Sequence, residues 1–76
     1  MSAPLTPGVR RALRRVPLIL EESGYTTEAA LMAELGAEYG DVRTALGILY
    51  GQHRIDRVLG YVVLPGCRPP VRREAA

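Results

Sequence analysis

Arg43, Gly47, Tyr50 and Arg54 recur at helical spacing in the middle of the chain. At about 100° per residue they fall on one stripe of a helix, with Thr44 and Gly51 flanking it. Val42, Ala45, Leu46 and Leu49 centre on a different side, at the i, i+3, i+4, i+7 spacing of a buried face. The polar stripe has a definite chemistry. An arginine guanidinium is a planar fork of donors that matches phosphate oxygens, or O6 and N7 of guanine. A tyrosine hydroxyl can donate to a phosphate. Gly47 would let a base edge or phosphate approach closely, although in mid-helix it costs about 1 kcal/mol of propensity and a helix–helix contact would also account for it. Arg57 follows as the one basic residue near a hairpin tip. Upstream, Arg10, Arg11, Arg14 and Arg15 crowd one segment and would serve as a sequence-independent phosphate clamp or arm. The plainer reading of exposed arginine and threonine on a helix is a solvated face, with Tyr50 packed on the hairpin.

Other chemistries lack their residues. His53 is the single histidine and sits where a helix should end, the position of a C-terminal helix partner. Cys67 is the single cysteine, in the turn-like string PGCRPP, so an internal disulfide and a cysteine-rich zinc site are both excluded. All ten basic residues are arginine, so no lysine is present to complete a phosphate-binding loop. There is no dinucleotide fingerprint, and 76 residues could hardly enclose a substrate pocket as well as a core. The expectation is a non-enzymatic protein with no cofactor or metal. Against ten arginines stand eight acids, a net charge of +2, and six of those acids lie between Glu21 and Asp41 with no base among them. Missing lysine fits a high-GC bacterial or phage coding sequence as well as it fits phosphate binding.

The elements that must position these residues follow from pattern. Residues 1–8 read as a flexible lead, with Pro7 suited to a first helical turn. The segment VRRALRRVPLILEESG places Val9, Ala12, Leu13, Val16 and Leu20 on one face. Pro17 leaves two readings open, one helix kinked near Arg14 to Pro17 or a second helix starting at Pro17. Gly24 ends the segment. Thr26 and Thr27 are N-cap candidates for TEAALMAEL, which packs through Ala30, Leu31 and Leu35 and stops at Gly36. Ala37 to Gly40 link it to a third helix over about 41–53, capped or begun by Asp41. After His53 the composition turns β-branched and aromatic, which predicts a hairpin over 55–64 with Leu59-Gly60 as its turn. Residues 66–76 read as an extended, mobile tail.

Taken together, V42-R43-x-A45-L46-x-x-L49, then R54-I55-D56-R57 and G60-Y61-V62-V63-L64, resemble the recognition helix and wing of GntR-like and MarR-like bacterial repressors. The resemblance implies a winged helix-turn-helix, mainly α with a small β-hairpin, a three-helix core plus a short two-stranded wing, over residues 9–65. It implies a small sequence-specific double-stranded DNA-binding regulator or architectural factor. Arg43 and Thr44 would read base edges in the major groove, Gly47 would allow close approach, and Tyr50, Arg54 and Arg57 would hold the backbone. Two features favour instead a protein-interaction module: acids at Glu38 and Asp41 beside the third helix's start, and an apolar wing tip at Val58-Leu59.

The expected core is Val16, Leu20, Leu31, Leu35, Val42, Leu46, Leu49, Ile55, Val62 and Leu64. A core this small suggests a homodimer, joined through Val9, Leu13 and Val16 or through the wing tip. No apolar run approaches the roughly 20 residues of a membrane span and no signal-peptide core opens the chain, so a cytoplasmic protein is expected.

Overall fold

The computed structural model describes residues 5–69; residues 1–4 and 70–76, with Arg72 and Arg73, lie outside the described residues. Helix α1 spans Pro7–Ser23 and is launched by Thr6, whose Oγ1 accepts from the Val9 N–H at 3.1 Å. The lead therefore ends at Thr6, because Pro7 and Gly8 already belong to the helix. Pro17 lies inside this single helix, which decides between the two readings at the cost of the hydrogen bond to the Leu13 carbonyl. Val9, Ala12, Val16, Ile19 and Leu20 form its buried face. Gly24 closes it in the left-handed conformation, where a side chain would be strained.

Strand β1, Tyr25–Thr26, is too short to be seen as a pattern in sequence. It takes Thr26 out of contention as a cap. Thr27 does that work for helix α2, Glu28–Leu35, its Oγ1 accepting from the Ala30 N–H at 3.1 Å. Leu31 and Leu35 are buried as expected, but Ala30 is exposed, a correction to the expected face.

Helix α3 spans Tyr39–Gly51, so both ends lie two residues earlier than the 41–53 predicted. Glu38 occupies the N-cap position without a side-chain capping bond. Asp41 is not the cap; it sits in the first turn, and Thr6 Oγ1 donates to its Oδ1 at 3.0 Å. Gly8 makes this approach possible, since a Cβ there would run into the Asp41 carboxylate. The helix ends early because His53 adopts φ 60°. The His53 N–H then reaches the Tyr50 carbonyl at 3.0 Å and the Arg54 N–H the Leu49 carbonyl at 2.9 Å, the pair of bonds that defines a Schellman closure. That reversal delivers Ile55 into the core.

Strands β2, Asp56–Val58, and β3, Tyr61–Val63, form the predicted antiparallel hairpin. Leu59 and Gly60 both have positive φ, 53° and 83°, as a type I′ turn requires. The sheet has three strands rather than two, in the order β1-β3-β2, because β1 pairs with the free edge of β3 through Tyr25↔Val63 and Thr26↔Val62. Val62 points into the helical core. Val63 points the other way and is also buried, on the face where Tyr25 meets Tyr61 edge-to-face at 5.6 Å. The residues after β3 fold back on this side: Gly66 to Pro69 line a groove with Asp56, Val58 and Leu59, and Pro69 is buried. Of the described part of the expected tail, Pro69 is packed, while Gly66, Cys67 and Arg68 are exposed.

Every expected core residue is buried except Leu64, which is half-buried at the edge, and Val63 joins them. Among the described residues, no helix is long and apolar enough to cross a membrane. Among the described residues, two that are not glycine, His53 and Leu59, hold left-handed backbone that glycine or asparagine would adopt at lower cost. Leu59→Asn, at a site 82% exposed, and His53→Gly should each raise stability by roughly 0.5–1 kcal/mol, read as a higher midpoint in urea.

Candidate nucleic-acid interface

Burial of Val42, Ala45, Leu46 and Leu49 against the core leaves the opposite side of α3 facing outwards. Arg43, Thr44, Gly47 and Tyr50 are all exposed there, as is Arg54 just beyond the helix end. Nothing lies within 4 Å of where a Cβ would stand at Gly40, Gly47 or Gly51. No helix–helix contact among the described residues therefore accounts for Gly47. Tyr50 is 54% exposed.

Arg43 has a partner that sequence reasoning missed. Its Nη1 donates to the Tyr39 hydroxyl at 3.2 Å, and the guanidinium lies 5.5 Å from the centre of the Tyr39 ring. An aromatic ring under a guanidinium holds it by its quadrupole and limits its rotamers without consuming all of its donors. The signal was the i, i+4 spacing of Tyr39 and Arg43, concealed by starting the helix at Asp41.

The two acids at the start of α3 part company. Asp41 is half-buried and held by Thr6, beside the positive end of the α1 dipole, so its charge is directed back into the molecule. Glu38 remains exposed. Arg57 on β2 reaches Glu28 at the start of α2, Nη2 to Oε2 at 3.4 Å. Both side chains are partly exposed, and such a pair contributes no more than about 1 kcal/mol, so it exchanges readily for another anion.

The four arginines of α1 do not act as one group. Arg11 Nη1 donates to the Leu35 carbonyl at 3.1 Å, placing a cation on the last turn of α2, where the helix dipole favours it. Arg10, Arg14 and Arg15 are exposed and make no ion pair or hydrogen bond among the described residues. α1 and α3 pack through their buried faces, so Arg10 and Arg14 look away from the outer side of α3. The site that is brought together consists of Arg43, Thr44, Gly47 and Tyr50, with Arg54 at its end and Tyr39 beneath Arg43.

Compared with protein-family models, with curated proteins and with solved structures, the chain matches none. The geometry itself separates a structural arginine from solvated ones. Arg11→Ala should lower stability by roughly 1 kcal/mol in urea unfolding, while Arg15→Ala should change it by less than about 0.5 kcal/mol.

Proposed function

We propose that this protein is a small winged helix-turn-helix factor of the cytoplasm that binds double-stranded DNA, with α3 in the major groove and the β2–β3 hairpin at the backbone. The observation that carries the reading is the outer side of α3. It combines an arginine oriented by an aromatic ring with glycines over which no part of the described chain lies. A duplex major groove accepts a helix of this width, and missing side chains at Gly40, Gly47 and Gly51 would let the DNA backbone or a base edge approach the helix itself. Arg43 and Thr44 read base edges. Tyr50 and Arg54 hold phosphates, and Arg57 exchanges Glu28 for a phosphate at the hairpin. The turning of Asp41 toward Thr6 supports the reading, because it removes one of the two charges that would repel DNA at the leading end of α3.

A second reading has one specific observation in its favour. Leu59 is 82% exposed at the hairpin tip, next to half-buried Val58, and an apolar tip suits a protein partner better than a phosphate backbone.

The two readings part under salt. DNA binding predicts an affinity for random-sequence duplex that falls steeply as salt rises, with Arg54→Ala or Arg57→Ala flattening the slope by about one ion each. Arg43→Ala should cost about 1–3 kcal/mol on a selected sequence and relax its preference. Fluorescence anisotropy with labelled duplex measures both. Micromolar protein that leaves duplex unbound at low salt would refute the proposal and favour the Leu59 surface, where Leu59→Asp should then abolish partner binding.

A further inference from the structure

Among the exposed arginines of the described residues, Arg43 alone is held by a neutral side chain. Arg57 lies against the Glu28 carboxylate, which offsets its charge, and Arg11 is spent on the Leu35 carbonyl. Arg10, Arg14, Arg15 and Arg54 make no side-chain hydrogen bond or ion pair among these residues. Nor does α1 keep the face expected to join two copies, since Val9 and Val16 are buried in their own core. Helical spacing explains why Arg43 differs. Tyr39 stands at i−4 from it, Gly40 at i−3 and Gly47 at i+4, whereas Glu38 and Asp41 lie at none of these distances. A carboxylate at i−4 would have drawn the guanidinium into an ion pair. The Tyr39 hydroxyl instead accepts from Nη1 at 3.2 Å, with the guanidinium carbon 5.5 Å from the ring centre. The ring steadies the group, and the hydroxyl fixes where it points. Nη1 lies on the Cδ side of the guanidinium, so this bond leaves the other edge, Nε and Nη2, free as two parallel donors. Because a phenol is neutral, that edge keeps the full positive charge.

We propose, on the reading that α3 lies in the major groove, that Tyr39 is a positioning residue for Arg43 and that the pair selects guanine. Nε and Nη2 of Arg43 donate to O6 and N7 of one guanine, a pair of acceptors that no other base presents in that groove. Adenine offers a donor where guanine has O6, so the same edge would meet a like group there. Gly40 and Gly47 leave the space beside Arg43 open to the base. Tyr39 adds to the choice in two ways. An untethered arginine loses rotamer freedom when it takes up this pose, and the tyrosine has already removed part of that freedom. A tethered guanidinium also cannot swing to a phosphate when the base is wrong, so a mismatch goes uncompensated. The hydroxyl of Tyr39 therefore bears on sequence preference through Arg43, without itself touching the base.

Selection of bound sites from random duplexes by the full chain, followed by anisotropy on the selected site, tests this. The site should contain a guanine whose replacement by adenine weakens binding at least about fivefold. Replacing that guanine by 7-deazaguanine, which lacks the N7 acceptor, should weaken binding too. With Arg43→Ala neither replacement should matter. Tyr39→Phe keeps the ring and removes the accepting oxygen. It should leave the urea midpoint in place, yet lower the guanine-over-adenine ratio at this one position about threefold or more. Preference at the other positions of the site should be kept, whereas a tyrosine that merely supported the start of α3 would lower them all. A selected site with no such guanine, or one indifferent to 7-deazaguanine, overturns the proposal while DNA binding stands. So does a ratio that Tyr39→Phe leaves untouched, or a loss spread evenly over every position. Duplex left unbound at low salt refutes the DNA reading and the proposal with it.

Discussion

Packing of α1 across α3 decides what each helix has left to offer. Val9, Ala12, Val16 and Leu20 on one side and Val42, Ala45, Leu46 and Leu49 on the other share a single cluster, closed beneath by Leu31, Ile55 and Val62. In a chain of 76 residues this cluster is the main source of stability, since short chains bury a smaller fraction of their surface. Once the apolar stripes are committed to one another, the polar stripe of α3 and the mixed stripe of α1 are forced to opposite sides of the molecule. A contact made by one does not obstruct the other.

The small contacts at the helix ends serve that same packing. Thr6 both caps α1 and holds Asp41, and Gly8 gives the room for it, so the first turns of α1 and α3 are fixed relative to each other. Arg11 ties α1 to the last turn of α2. Thr27 and the left-handed Gly36 set the limits of α2. Each is worth about 1 kcal/mol, and each restricts a direction that apolar burial leaves undetermined.

Much of this was legible in the sequence, for physical reasons that differ by residue. Apolar spacing in Val42 to Leu49 has the period of a helix, and burial follows period, so the α3 core face could be read directly. The hairpin was visible because β-branched residues flank a glycine that accepts positive φ. Four things were hidden. β1 is two residues long and exists only because β3 offers it an edge. Helix limits moved because Asp41 found a tertiary partner in Thr6 in place of a local capping role, and because His53 adopted the conformation usually given to glycine. The burial of Pro69 beside the sheet goes with a face of Val63 that alternation alone cannot show to be covered. The partition of the α1 arginines depends on which side of α1 meets α2 and α3. Of the candidate site, the residue types and their stripe were readable; the ring beneath Arg43 was not.

The order β1-β3-β2 has a kinetic meaning. The β2–β3 pairing is local, but β1 meets β3 only when residues 25–26 find residues 62–63 across the two intervening helices. Closing so long a loop is entropically costly until the helices have already brought its ends together. The central strand is therefore completed last, after α1, α2 and α3 have assembled. A two-stranded hairpin alone is marginal in water, so before that step β2 and β3 lack a stable support. Completing the sheet locks the α1–α2 junction to the hairpin, and the two must then open together. Amide exchange at Thr26 and Val62 should accordingly proceed at matched rates, as in a single cooperative unit.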